Sequence, residues 1–111
     1  MQNIDWKNIP FGFSETDYNV RCYYRNGNWG EIEVSSSNTI NMHMAATCLH
    51  YGQECFEGLK AYTGKDNKIR IFRVEENAKR MQKTAERVLM APPPVELFQK
   101  MVKKLIRLNK R

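Results

Sequence analysis

Tyr18-Asn19-Val20-Arg21-Cys22-Tyr23-Tyr24-Arg25-Asn26-Gly27 is the stretch on which the fold of this 111-residue chain turns. Tyr18, Val20, Cys22 and Tyr24 alternate with Asn19, Arg21, Tyr23 and Arg25, and a period of two predicts a strand with one buried face. Asn26-Gly27 then predicts a type I′ turn, because that turn needs positive φ at both central residues. The return strand is expected from Asn28 to Val34, with Ser35-Ser36-Ser37-Asn38 breaking it. A second hairpin is expected downstream: Gly58 to Thr63, a Gly64-Lys65-Asp66-Asn67 turn, then Lys68 to Arg73. Upstream, residues 1–16 mix Asn, Pro, Gly and Ser with isolated aromatics and read as a loosely tethered arm, leaving 17–111 as one small domain.

After Arg73 the period becomes helical. Glu75 and Glu76 stand where acids favour a helix N-terminus. Val74, Ala78, Met81, Ala85, Val88 and Leu89 fall on one stripe. Ala91-Pro92-Pro93-Pro94 stops that helix, and Leu97, Phe98, Met101, Val102, Leu105, Ile106 and Leu108 give the next one an apolar face. Two hairpins forming an antiparallel sheet, followed by two helices, make the expected class α+β.

Bulk properties narrow the alternatives. Hydrophobic residues at 41% and charged ones at 27% describe an ordinary globular chain, not a disordered one. No apolar run approaches the roughly twenty residues of a membrane span, and the first residues lack a secretory signal pattern, so the expected location is the cytoplasm. Cys22, Cys48 and Cys55 form no CxxC pair and read as reduced, packed thiols. The net charge of +6 concentrates at the end, in Lys100, Lys103, Lys104, Arg107, Lys110 and Arg111, with no acid among them. A solvated face of an amphipathic helix accounts for that run; a small nucleic-acid-binding module is the competing reading.

Few residues could carry chemistry unaided. His43, Cys48, His50 and Cys55 lack the paired spacing of a zinc site, so no metal is expected. Neither a GxGxxG sequence nor a P-loop is present, and no nucleophile elbow is legible. The informative run is His50-Tyr51-Gly52-Gln53-Glu54-Cys55-Phe56-Glu57-Gly58. Gly52 and Gly58 permit positive φ or close backbone approach, and Tyr51 and Phe56 could line an apolar pocket with one hydroxyl. From spacing alone, a turn with two core aromatics leading into a strand is the favoured account.

With Leu59-Lys60-Ala61-Tyr62 added, this run resembles the signature opening the small domain of branched-chain amino-acid aminotransferases, pyridoxal phosphate enzymes of fold type IV. Asp66-Asn67-Lys68-Ile69-Arg70-Ile71-Phe72-Arg73, Asn77-Ala78-Lys79-Arg80-Met81 and Thr84-Ala85 continue the likeness in order. Phe11-Gly12, Thr16-Asp17 and Trp29-Gly30 extend it upstream, so it covers nearly the whole chain. Gln53-Glu54-Cys55 fill variable positions. A sister activity, such as D-amino-acid transamination, stays open.

The resemblance implies an enzyme that moves an amino group from leucine, isoleucine or valine to 2-oxoglutarate, as a homodimer. It implies that Arg80 holds the phosphate of pyridoxal 5′-phosphate, and that a guanidinium outside the apolar stripe looks exposed in this domain alone. It places Tyr51, Phe56 and Gly58 at the substrate side chain, with Phe11 a further wall. The lysine with which the cofactor aldehyde condenses, and the acid facing the pyridine nitrogen, belong to a larger second domain outside this chain. Accordingly no catalytic residue is assigned here, the cofactor is not expected to bind this part alone, and His50, Glu57 and Lys60 are read as structural.

Overall fold

Asn26 at φ 52° and Gly27 at φ 80° close the first hairpin, with both central residues left-handed as a type I′ turn demands. The computed structural model of the chain describes Asp5, Lys7, Asn8 and residues 11–110. Around the turn, β2 (Tyr24–Arg25) pairs with β3 (Asn28–Trp29), Tyr24 opposite Trp29 with their ring centroids 5.3 Å apart. Further out, β1 (Asn19–Arg21) pairs with β4 (Glu33–Ser35), Val20 opposite Val34.

The hairpin is not the continuous ladder that the alternation predicts. Between the two paired segments, Cys22 and Tyr23 face three residues, Gly30, Glu31 and Ile32. One extra residue on the return strand is a β-bulge, held by Gly30 N–H donating to Tyr23 O at 2.8 Å and by Cys22 Sγ–H donating to Gly30 O at 3.2 Å. Ser35, read as a strand breaker, instead pairs with Asn19.

The second hairpin joins β5 (Ala61–Thr63) to β6 (Ile69–Ile71) through the expected turn. Gly64 N–H donates to Lys68 O at 2.8 Å, Asn67 N–H to Gly64 O at 2.9 Å, and Asn67 takes φ 58°. Asp66 and Arg70 form an ion pair above Gly64, with Arg70 Nη1 2.7 Å from Asp66 Oδ1. A Cβ at Gly64 would meet the ends of those two exposed side chains, so a larger residue there would displace the ion pair and leave the turn itself possible. Among the described residues the strands form three separate two-stranded antiparallel ladders, not one sheet of two hairpins; the α+β class holds.

Between the hairpins lies α1 (Thr47–Tyr51), a short helix that the alternation and stripe patterns do not announce. Gly52 ends it in the left-handed region at φ 61°, one of the two uses foreseen for that glycine. Then α2 (Val74–Arg87) and α3 (Val95–Leu108) follow within a residue or two of the predicted boundaries. Glu75 in the first turn of α2 pairs with Lys79 at 2.7 Å. α2 packs on α3, and α3 packs on β1. Asn109, just past α3, accepts the Tyr18 N–H at 3.1 Å and donates to Tyr18 O at 3.0 Å, tying the last helix to the start of the first strand.

The core is thin. Ala78 and Ala85, both 1% exposed, are the buried hydrophobics among the described residues, and both lie on the predicted stripe of α2. Leu105 stands more open than the α3 pattern implies, and Leu89 leaves the stripe altogether. The three thiols are free and half-buried. The described residues of the N-terminal arm carry no helix or strand, and no described helix is long and apolar enough to cross a membrane.

Candidate functional site

The segment from α1 to β5 is pinned to α2 at two points. Near its start, Thr47 Oγ1–H donates to Gln53 Oε1 at 2.6 Å, and Gln53 Nε2 donates to Val88 O at 2.7 Å, just past the last turn of α2. Near its end, Asn77 Nδ2 on α2 donates to Gly58 O at 3.2 Å and to Glu57 Oε2 at 2.9 Å. Two anchors on one helix hold Phe56, Glu57 and Gly58 against its flank.

Glu57 is the polar centre of that contact. Its side chain is 4% exposed, yet it carries a charge, and burying a carboxylate demands a partner. Arg80, one turn along α2 from Asn77, supplies it: Nε donates to Glu57 Oε1 at 2.7 Å and Nη2 to Oε2 at 2.8 Å. Two parallel N–H···O bonds match the fork of a guanidinium to a carboxylate. They hold the Glu57 carboxyl below its usual range, assisted by Asn77 and opposed by burial, and they raise Arg80 above its already high value.

Arg80 remains 68% exposed at its side chain, as expected of a position off the apolar stripe. Of its five N–H groups Glu57 uses two, and the remaining edge is open to solvent. Such an edge, planar, charged and able to donate two parallel bonds, fits a phosphate dianion. The other sites foreseen from sequence fall less neatly. Phe56 lies over Gly58, its ring 3.6 Å from where a Gly58 Cβ would be, an ordinary contact distance; neither strain nor crowding in this domain requires glycine there. Phe56 is 88% exposed, Tyr51 84%, and Phe11 fully so. Phe56, Gly58 and Arg80 are thus brought together through Glu57 and Asn77, whereas Tyr51 and Phe11 make no hydrogen bond or ring–ring contact with them. The aromatics form an open surface, not an enclosed pocket.

In sequence, Glu57 reads as structural and Gln53 as a variable filling. A carboxylate next to an exposed aromatic, upstream of a lone helical arginine, was the available signal. His50 Nε2 meets Met44 O at 2.6 Å, and Lys60 stands exposed just before β5. Lys100, Lys103, Lys104, Arg107 and Lys110 are exposed on or just past α3, in keeping with a solvated basic face.

No family model matches the chain. Curated relatives do, over its whole length. It is 44% identical over 109 residues to a branched-chain-amino-acid aminotransferase of Haemophilus influenzae, covering 98% of this chain and 32% of that protein. It is 42% identical over 111 residues to the enzyme of that name from Helicobacter pylori, covering all of this chain and 33% of the relative. The chloroplastic branched-chain-amino-acid aminotransferase 5 of Arabidopsis thaliana is 43% identical over 113 residues, with 27% of its length covered. The chain therefore spans about a third of the length of the relatives it matches. Over that third, its sequence is similar throughout to branched-chain-amino-acid aminotransferases.

Proposed function

We propose that this chain is the small domain of a pyridoxal phosphate-dependent branched-chain aminotransferase, forming one wall of the substrate pocket and offering Arg80 to the cofactor phosphate. The observation that carries the reading is the free guanidinium edge of Arg80, presented in the same contact as the exposed Phe56. Bound pyridoxal phosphate supplies the electron-withdrawing ring through which an amino group passes from leucine, isoleucine or valine to 2-oxoglutarate. Arg80 binds and orients the phosphate. Phe56 and Tyr51, with Phe11 as a further wall, exclude water from an aliphatic side chain and give it an apolar surface. Gly58 leaves room beside them.

The lysine that holds the cofactor belongs, in this reading, to a second domain, and the intact protein works as a dimer in the cytoplasm. The test is turnover of leucine with 2-oxoglutarate, with pyridoxal phosphate added, by the intact protein that carries this chain and by residues 1–111 alone. Activity is expected in the former and none in the latter. Turnover by the 111 residues alone would sink the division of labour. Steeply salt-dependent binding to nucleic acid without turnover by the intact protein would replace the whole reading.

A further inference from the structure

We infer that Glu57 is the positioning residue of the anion hook, its buried carboxylate clamping one edge of the Arg80 guanidinium so that the other edge faces a phosphate-bearing ligand. The inference rests on the reading of Arg80 as the phosphate-binding residue and adds a partner to it.

The geometry separates two possible effects of a carboxylate beside an anion site. As a charge, Glu57 weakens anion binding, because it partly neutralises Arg80 and repels a phosphate. As a clamp, it strengthens anion binding by removing the rotamer freedom of a long side chain that is 68% exposed and would otherwise sample many orientations. Both Arg80 bonds to Glu57 are short, at 2.7 and 2.8 Å, and come from Nε and Nη2. Nη1 carries none of them, so its two N–H groups and the second one on Nη2 stay available and lie away from Glu57. The clamp and the ligand therefore occupy different edges and do not compete. Glu57 is itself fixed. Its side chain is 4% exposed, and Asn77 holds Oε2 at 2.9 Å while bonding the neighbouring Gly58 carbonyl. The chain is thus ordered from helix to amide to carboxylate to guanidinium, and only the last member meets solvent. Phe56 and Gly58, on either side of Glu57 in sequence, share that anchoring. One carboxylate then sets both the direction of the phosphate hook and its placement relative to the apolar wall.

The sign of the effect decides the matter. In the intact protein that carries this chain, equilibrium binding of pyridoxal 5′-phosphate is compared with that of pyridoxal, which lacks the phosphate. Glu57→Ala is expected to weaken binding of the phosphate form about tenfold and to leave pyridoxal unchanged. Glu57→Gln, which keeps one acceptor for Nε–H and preserves the packing volume, is expected to fall between. Glu57→Ala combined with Arg80→Ala is expected to bind no more weakly than Arg80→Ala alone, because the clamp acts only through the arginine. Tighter binding in Glu57→Gln, equal losses for both ligands, or additive losses in the double variant would overturn the clamp. Arg80→Ala that leaves phosphate binding intact would overturn the hook, and the clamp with it. A second measurement is independent of cofactor: the Arg80 Nε–H resonance of the 111-residue chain is expected to exchange slowly with water, and to be lost in Glu57→Gln. Fast exchange in the unsubstituted chain would remove the physical basis of the inference.

Discussion

Glu57 links the site to the stability of the domain. Its carboxyl is held below the ordinary value of 4.5, first by the Arg80 hydrogen bonds and then by Asn77, against the opposing effect of burial. A depressed folded-state value means stabilisation that is fully present above 4.5 and is lost as the pH falls through the lower folded value. The unsubstituted chain is therefore expected to lose thermal stability steeply below that pH. Glu57→Gln is expected to be less stable at neutral pH and flatter through the acid window. Parallel melting-temperature profiles for the two would exclude Glu57 as a source of the acid limb. Asp66 and Glu75 are also depressed, by Arg70 and Lys79, but they are exposed and common to both proteins. At this scale the sequence was half legible. Arg80 could be placed outside the helix stripe by counting residues, whereas its partner lies 23 positions upstream, a distance no local period encodes.

The end of α2 shows how a single turn can couple elements. Met90 N–H donates to Ala85 O at 2.8 Å and Leu89 N–H to Glu86 O at 3.1 Å, a pair of bonds that places Leu89 at the left-handed position usually given to glycine. Leu89 has φ 57° and is 88% exposed, so its side chain leaves the stripe on which the period placed it. A leucine there carries a steric cost of about 1–2 kcal/mol, partly offset because glycine loses more entropy on folding. Leu89→Gly is expected to stabilise the chain by about 0.5–1 kcal/mol. Gln53→Ala, which strips the amide from the Val88 carbonyl, is expected to cost about 1 kcal/mol. Urea midpoints measure both, and an unchanged midpoint in Gln53→Ala would mean that the α1 segment is held elsewhere. The long helices and the Asn26-Gly27 turn were readable because their signals are local. By contrast, α1 is too short to show a period, the bulge interrupts one, and this turn puts a leucine where glycine is usual.

For the whole molecule, the dimensions argue for an unfinished surface. The radius of gyration is 15.5 Å, against about 13 Å for a compact domain of this length. Among the described residues two alanines form the fully buried core, while Tyr51, Phe56, Phe72 and Leu89 stand in water. Burying one such large side chain is worth about 1.5–3 kcal/mol, so a surface that leaves several exposed has a strong tendency to associate. The 111-residue chain is expected to bind a hydrophobic dye and to self-associate as its concentration rises, by fluorescence and sedimentation. A monodisperse, dye-silent monomer would refute that view. The Asn109–Tyr18 bond adds a constraint in time. The Tyr18 N–H donates to a side chain 91 positions later. During synthesis, that edge of the first strand stays unpaired until nearly all of these residues have left the ribosome, so the earliest strand to be made is among the last to be completed.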